Sequence, residues 1–238
     1  MKDILKIMRF DFLTAKPVAL ISFLLVLIIC CGLGLVFSPM ICGYTMFGAM
    51  VFVIPLQSMA DKNNFNKLYG ILPVERKNIT RARFLYIFLV HFASEIIEFI
   101  SAVIAKALKL YRLLPNQDGE MLQMIRESFA DTNLIFTIII GMFAFFCICF
   151  SYMEMMGQIF GRENEMKIIT ISLGVVVVLI VGFLTLSEHD IIPTFSLPSM
   201  PSSVSGKIIL AVVINIVMFL LCMIFGEITA KKLSGREL

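Results

Sequence analysis

Residues 17–60 read PVALISFLLVLIICCGLGLVFSPMICGYTMFGAMVFVIPLQSMA, two apolar runs joined by a single serine–proline turn. Each run is about as long as the ~20 residues that a helix needs to cross a hydrocarbon layer of about 30 Å. Ser38 and Pro39 leave room only for a tight turn. The stretch therefore predicts two antiparallel transmembrane helices, Pro17–Phe37 and Pro39–Ala60.

The rest of the chain repeats this pattern. Hydrophobic residues make up 59% of the sequence and charged residues 16%, against roughly a quarter charged in soluble domains. A backbone in lipid must satisfy its own hydrogen bonds, and the alternation of a barrel strand is absent, so helices are expected. We predict an all-α, polytopic integral membrane protein forming one membrane domain over residues 1–238, with four further transmembrane helices at Phe84–Ala105, Leu134–Met153, Ile168–Leu186 and Ile208–Glu227.

A short amphipathic stretch precedes the first span. In residues 1–16, one helical face carries Ile4, Leu5, Met8 and Phe12, and most basic residues lie on the other. Such a helix rests in the plane of the lipid headgroups, whereas a simple charged flank would only orient the span. We expect an N-terminal interfacial helix. The apolar run that follows is too long for a signal peptide and lacks a cleavage pattern, so it should be retained.

The distribution of basic residues orients the spans. Six spans put both termini on one side, and that side would carry 15 of the 20 lysines and arginines. Because basic loops stay in the cytoplasm, both termini are expected to be cytoplasmic. The net charge of +3 reflects this topology and gives no ground for nucleic-acid binding. The opposite side keeps Lys106, Lys109, Arg112, Arg126 and Lys207.

The segment between the third and fourth spans has balanced charge and helical potential of its own. Its first part continues the third helix, and Pro115-Asn116 and Asp118-Gly119 mark a turn. Glu120–Phe129 predicts a second short helix. Residues 106–131 are therefore expected to form an extracellular helical segment.

The cysteines and histidines limit the chemistry available to this chain. All six cysteines lie inside predicted spans, where they behave as small apolar residues. None has a zinc-type spacing partner in a loop. We therefore expect no disulfide framework and no metal site, and two histidines leave little room for histidine-based catalysis.

The cytoplasmic loop between the second and third spans is expected to dock another protein. Phe65, Leu68 and Tyr69 recur at spacings of three and four, enough for one or two helical turns with an apolar edge. An aromatic edge among charges suits contact with a partner. A basic loop that only enforces orientation is the alternative.

This loop resembles a segment of the membrane subunits of ABC exporters of type 2 architecture, particularly the small six-span permeases of bacterial peptide and antibiotic exporters. In those proteins an aspartate is followed by a stretch ending in aromatic or leucine residues, then by leucine-proline-x-x-arginine-lysine. A serine commonly precedes the leucine-proline pair, where this chain has Ile71. The six-span layout and the amphipathic N-terminus also agree. Within residues 61–83 the matching positions are Asp61, Phe65, Leu68, Tyr69, Leu72, Pro73, Arg76 and Lys77.

The resemblance implies that residues 61–83 form a coupling loop whose helix docks onto a separate ATPase subunit. It also implies a bacterial cell membrane and a homo- or heterodimer of two permeases. The chain itself has no glycine-rich phosphate loop, since Gly206-Lys207 lacks the glycine five positions earlier. We therefore expect a transport subunit and not an enzyme, with ATP and Mg bound by the partner and no cofactor in this chain. The expected cargo is a peptide, an antibiotic or another amphipathic substrate.

The third span carries charge on one narrow face. His91, Glu95 and Glu98 fall within about 60° of one another at 100° per residue, although unpaired charge in hydrocarbon costs roughly 2.5–3.5 kcal/mol. Three interpretations stay open: packing with the carboxylates protonated or paired, a polar lining of the substrate path, or a metal or proton-relay site. A proton-coupled secondary transporter that uses this stripe is the alternative function, although the paired repeats of many such carriers are absent.

Three polar residues in other spans are expected to be structural. Asn215 is a lone polar group in the sixth span, where a helix–helix hydrogen bond is the usual role. Glu154 and Glu227 lie near the cytoplasmic ends of their spans, and Arg162 or Lys231 could neutralise them. All three are expected to anchor or pack helices.

Overall fold

The computed structural model describes residues 2–62, 75–113, 119–161, 164, 167–168, 170–172, 174–175, 201 and 203–234. Within these residues the fold is all-helical, which confirms the predicted class. Two short 3-10 helices lie at Pro39–Thr45 and Leu110–Leu113. The α-helices are α1 (Lys2–Val36), α2 (Met46–Lys62), α3 (Arg76–Leu108), α4 (Gly119–Ala130), α5 (Thr132–Phe160) and α6 (Val204–Ser234).

Four of the described helices, α1, α3, α5 and α6, are long and apolar enough to cross a membrane. They coincide with the predicted first, third, fourth and sixth spans. The predicted second span begins as the 3-10 helix and continues as α2, and its apolar part, Pro39–Ile54, is shorter. Most of the predicted fifth span, residues 168–186, lies outside the described residues. The count of six spans therefore stays a prediction.

The helix α1 runs without a break from the N-terminal stretch into the first span. Its 35 residues rise about 52 Å at 1.5 Å per residue, about 20 Å more than the hydrocarbon layer requires. No boundary separates an interfacial helix from the span. Whether residues 2–16 lie among the headgroups stays a prediction.

The first turns of α1 pack on α3 through a face that matches the predicted apolar face in part. Ile7 is buried together with Ile79 and Ala82 of α3, and the predicted Ile4 and Met8 pack against this cluster. Leu5 and Phe12, predicted to share the face, are exposed instead, and Asp11 is buried. The prediction missed Asp11 because it sorted residues by hydropathy alone, whereas the buried face includes a carboxylate.

The predicted tight turn joins α1 to α2. Ser38 lies in extended conformation and its hydroxyl accepts the amide hydrogen of Met40 at 3.4 Å, and Pro39 opens the 3-10 helix. The two arms approach closely, because a Cβ atom on Gly34 would lie 2.5 Å from the sulfur of Cys42. The antiparallel hairpin therefore depends on a glycine where the arms meet.

The helix α3 occupies the centre of the bundle. The main hydrophobic core joins it to α2, α5 and α6, and two smaller clusters join it to α1. The starts of α1 and α3 and the ends of α5 and α6 lie at one end of the bundle, here called the proximal end; the other is the distal end. Because α3 is surrounded, its polar stripe faces protein. The core residues are Met46, Ala49, Val53, Ile87, Phe88, Phe143, Phe146, Cys147, Phe150, Met218 and Cys222.

A short helix covers the distal end of α1 and α3. This helix, α4, lies where the sequence predicts Glu120–Phe129, and its Ile125 and Phe129 pack on Ala105 of α3 and on Leu35 and Phe37. The Ser128 hydroxyl donates to the carbonyl oxygen of Phe37 at 3.3 Å. Its placement outside the cell stays a prediction.

Candidate functional site

His91 is fully buried against α5. Its ring centroid lies 5.4 Å from that of Phe150 and 6.3 Å from that of Phe146. The Nδ1 atom lies 2.7 Å from the carbonyl oxygen of Ile87 and, because a carbonyl can only accept, it carries the hydrogen of that bond. The Nε2 atom has no hydrogen-bond partner among the described residues. The imidazole is thus part of an aromatic contact between α3 and α5.

Glu98 is also fully buried, against the start of α2. The Ser94 hydroxyl, one turn earlier on α3, donates to its Oε1 atom at 3.5 Å, and the backbone amide of Met46 is a further donor. Its Oε2 atom has no partner within the part of the chain that the structure describes. Glu98 therefore joins α3 to α2.

Glu95 faces the third neighbour, α6. The Asn215 amide nitrogen donates to its Oε1 atom at 3.2 Å and to the carbonyl oxygen of Ala211 at 2.9 Å. Among the described residues, the Glu95 Oε2 atom and the Asn215 Oδ1 atom lack partners. The helix–helix hydrogen bond expected of Asn215 is present, and its partner is Glu95.

The stripe on α3 therefore does not converge on one point. His91 contacts α5, Glu95 contacts α6 and Glu98 contacts α2. No group of three histidine, cysteine, aspartate or glutamate side chains that could hold a metal ion occurs in the described ranges. Sequence reasoning placed the three residues on one face correctly, but helical periodicity does not reveal which neighbour each side chain meets.

A groove of about 730 Å³ runs along the bundle between α3, α5 and α6. Its walls are mainly apolar, with Phe88, Phe92 and Phe99 of α3, Phe136 of α5 and Phe219 of α6. Glu95 and Asn215 border it, whereas His91 and Glu98 do not. At its distal end lie Lys106 and Lys207, two residues that the sequence analysis assigned only to topology.

A buried ion pair fastens the proximal end of α3 to α5. The Arg83 guanidinium donates to Glu154 at 3.1 Å, and their side chains are only 11% and 4% exposed. The Gln158 amide also donates to Glu154, and the Thr80 hydroxyl donates to the Gln158 carbonyl oxygen at 3.3 Å. These hydrogen bonds form a polar network between α3 and α5, whose neighbouring contacts are apolar.

A second ion pair fastens the same end of α3 to α6. The Arg81 guanidinium makes two hydrogen bonds to Glu227, at 2.5 and 2.9 Å. Both glutamates pair with arginines of α3, and the suggested Lys231 is not the ion-pair partner of Glu227. The suggested role of Arg162 stays a prediction, because that residue lies outside the described residues. The charge pattern of a single loop or tail does not reveal a partner that is 146 residues away in sequence.

The described members of the predicted ATPase-docking motif lie at the same end. Asp61 is in the last turn of α2, Arg76 opens α3, and exposed Lys77 lies 2.9 Å from Glu75. The predicted docking function of the loop stays untested. The remaining members of the motif fall outside the described residues: Phe65, Leu68, Tyr69, Leu72 and Pro73.

Comparisons with known proteins give one finding. Residues 6–227 match the family model described as ABC-2 family transporter protein. The match begins in α1 and ends at Glu227 in α6, so it includes the groove, the stripe and both ion pairs. Neither the curated proteins nor the solved structures contain a match.

Proposed function

The chain belongs to the ABC-2 family of transporter proteins, and we propose that it is the membrane permease subunit of an ATP-driven exporter. In this proposal two permeases pair in a bacterial cell membrane with both termini in the cytoplasm, and a separate ATPase supplies the energy. The cargo is a peptide, an antibiotic or another amphipathic molecule. The match over residues 6–227 is the observation that carries the proposal.

The attachment of α3 supports a mechanical route from the ATPase to the bundle. The predicted docking loop leads directly into α3, and within two turns α3 is bound to α5 through Glu154 and to α6 through Glu227. Its neighbour Ala82 is buried against Ile7 of α1. A displacement of the loop would therefore move three transmembrane helices together with α3.

The placement of the stripe favours packing over proton coupling. His91 and Glu98 are enclosed between helices, and only Glu95 borders the groove. A proton relay requires a chain of groups within hydrogen-bond reach, and the three residues meet three different neighbours. We therefore propose that the stripe holds α3 in the bundle.

Co-purification with the proposed ABC ATPase subunit tests the proposal. The triple variant Phe65→Asp, Tyr69→Asp and Arg76→Glu should lose the ATPase, because it removes the apolar edge and reverses a charge. The control variant Arg126→Glu carries a charge reversal on exposed α4 at the distal end and should retain the ATPase. Retention in the triple variant, or equal loss in both, would reject docking through this loop.

A further inference from the structure

Two lysines, Lys106 and Lys207, lie together at the distal end of the groove. Lys207 is buried, Lys106 is half-buried, and both line the groove, where the charge of Lys207 disfavours the charge of Lys106. Lys106 donates to the Thr132 hydroxyl at the start of α5. Asp131 attracts Lys106, but its Oδ1 atom caps α5 by accepting the Leu134 amide at 2.9 Å. Neither lysine is within ion-pair distance of a carboxylate among the described residues.

The positions of the charges along the helices place these lysines at the level of a membrane boundary. On α6, 20 residues separate Lys207 from Glu227, about 30 Å at 1.5 Å per residue, which equals the hydrocarbon thickness. On α3, Lys106 lies 25 residues beyond Arg81, or about 37 Å. The proximal ion pairs mark one boundary and the lysines mark the other.

Two helix N-termini border the mouth of the groove. The helices α5 and α6 both begin there, and Thr132 and Val204, their first residues, line the groove. Helix N-termini carry a partial positive charge, but the Asp131 carboxylate already caps α5 and the Ser203 hydroxyl caps α6. The positive charge of the mouth therefore comes mainly from the two ammonium groups, one of them buried.

We propose that this groove binds an anionic phospholipid of the distal leaflet. Its phosphate lies between Lys106 and Lys207, and an acyl chain runs along the groove past Phe99 towards Phe88 and Phe219. From Lys207 to Phe219 the helix rises about 18 Å over 12 residues, so the chain extends well into the leaflet. The proposal concerns a lipid that the permease retains, and it does not depend on the exporter function.

Other occupants fit the groove less well. An extended peptide would leave its backbone N–H and C=O groups unsatisfied against apolar walls. A symmetric second copy in the same membrane orientation would bring its own Lys106 and Lys207 to the same level, because an isologous contact pairs a surface with itself. Like charges would then meet across the contact, whereas a phosphate neutralises them.

Tryptophan quenching by brominated phospholipids tests the proposal. The chain has no tryptophan, so Ile208→Trp provides a single reporter in the groove. Its matched control is Ile209→Trp, next in sequence and similarly exposed (59% and 64%), but outside the lining. Each variant is reconstituted in vesicles of phosphatidylcholine with brominated phosphatidylglycerol, and separately with brominated phosphatidylcholine as the quencher.

We expect the groove reporter to show a preference for phosphatidylglycerol of roughly fivefold or more, since each lysine near the surface attracts an anionic lipid. The control reporter should show no preference. Replacing both lysines, Lys106→Gln with Lys207→Gln, should remove the preference, whereas Lys109→Gln should leave it. If the double variant does not fold, Lys106→Gln alone should lower the preference and Lys106→Arg should retain it.

Each opposing result overturns the proposal. Equal preference at both reporters would mean that the whole surface attracts anionic lipid. A preference for phosphatidylglycerol that persists in the double variant would show that the two lysines do not bind the phosphate. Absence of quenching at the groove reporter alone would mean that protein, from this chain or a second copy, fills the groove. Excess inorganic phosphate should leave the lipid preference unchanged. Loss of the preference under these conditions would show that the site binds free phosphate instead of a lipid.

Discussion

The basic side chains at the two ends of the bundle have different partners. At the proximal end, Arg81 and Arg83 each meet a glutamate on a neighbouring helix. At the distal end, Lys106 meets a hydroxyl, and Lys207 has no ion-pair partner among the described residues.

The side-chain types match this division. An arginine fork makes directional, bidentate bonds to a carboxylate, whereas a lysine is a point charge on a flexible stem. The proximal end is thus built as a fixed joint between helices, and the distal end leaves its cations available to an anion from outside the chain. This contrast predicts that charge removal costs stability at one end and lipid preference at the other.

Breaking the buried proximal pair is expected to give the largest effect on stability. Arg83→Gln removes the cation paired with buried Glu154, and removing one partner of a buried ion pair costs about 3–5 kcal/mol. The free energy of unfolding in mixed detergent micelles, followed by helical circular dichroism, measures this loss. The loss of stability is expected because the Glu154 carboxylate stays buried, with only 4% of its side chain exposed.

A double variant tests whether the ion pair itself is needed for stability. Arg83→Met combined with Glu154→Met removes both charges and should be much closer to the unsubstituted protein than either single variant, because an apolar pair of similar size replaces a buried ion pair at little cost. A double variant as unstable as Arg83→Gln would show that the pair contributes through its hydrogen-bond network with Gln158 instead.

The sequence predicted the features that depend on local composition. Apolar runs located α1, α3, α5 and α6, because the length of a span follows from the thickness of the membrane. Helical periodicity placed His91, Glu95 and Glu98 on one face of α3. The serine–proline turn predicted the hairpin of α1 and α2. Each of these features is determined by residues that are close together in the chain.

The features that the sequence did not reveal depend on distant partners. The bonds of Arg83 to Glu154 and of Asn215 to Glu95 join residues 71 and 120 positions apart, and many arrangements of helices agree with the same hydropathy. On α1, Ile4 and Met8 of the predicted apolar face pack on α3, but the burial of Asp11 beside them was not expected. The groove requires three helices to be placed before Lys106 and Lys207 come together.

The hairpin of α1 and α2 tests a packing effect at the distal end that involves no charged residue. Gly34→Ala should cost about 1–3 kcal/mol through overpacking, because its new Cβ would lie 2.5 Å from the Cys42 sulfur. Gly32→Ala, whose Cβ meets nothing within 4 Å among the described residues, is the matched control. Adding Cys42→Ala to Gly34→Ala should recover part of the loss. An unchanged free energy of unfolding in Gly34→Ala would mean that the arms can separate at no cost.

The smallest effect is expected at the outer proximal pair. Arg81 and Glu227 make two short hydrogen bonds, yet their side chains are 32% and 52% exposed, and exposed pairs contribute little to stability because water and salt screen them. Arg81→Gln should therefore destabilise the protein far less than Arg83→Gln under identical conditions, and added salt should reduce the difference from the unsubstituted protein. If the two arginine variants lose equal stability, burial does not distinguish the pairs, and the proximal joint acts as a single charged network across α3, α5 and α6.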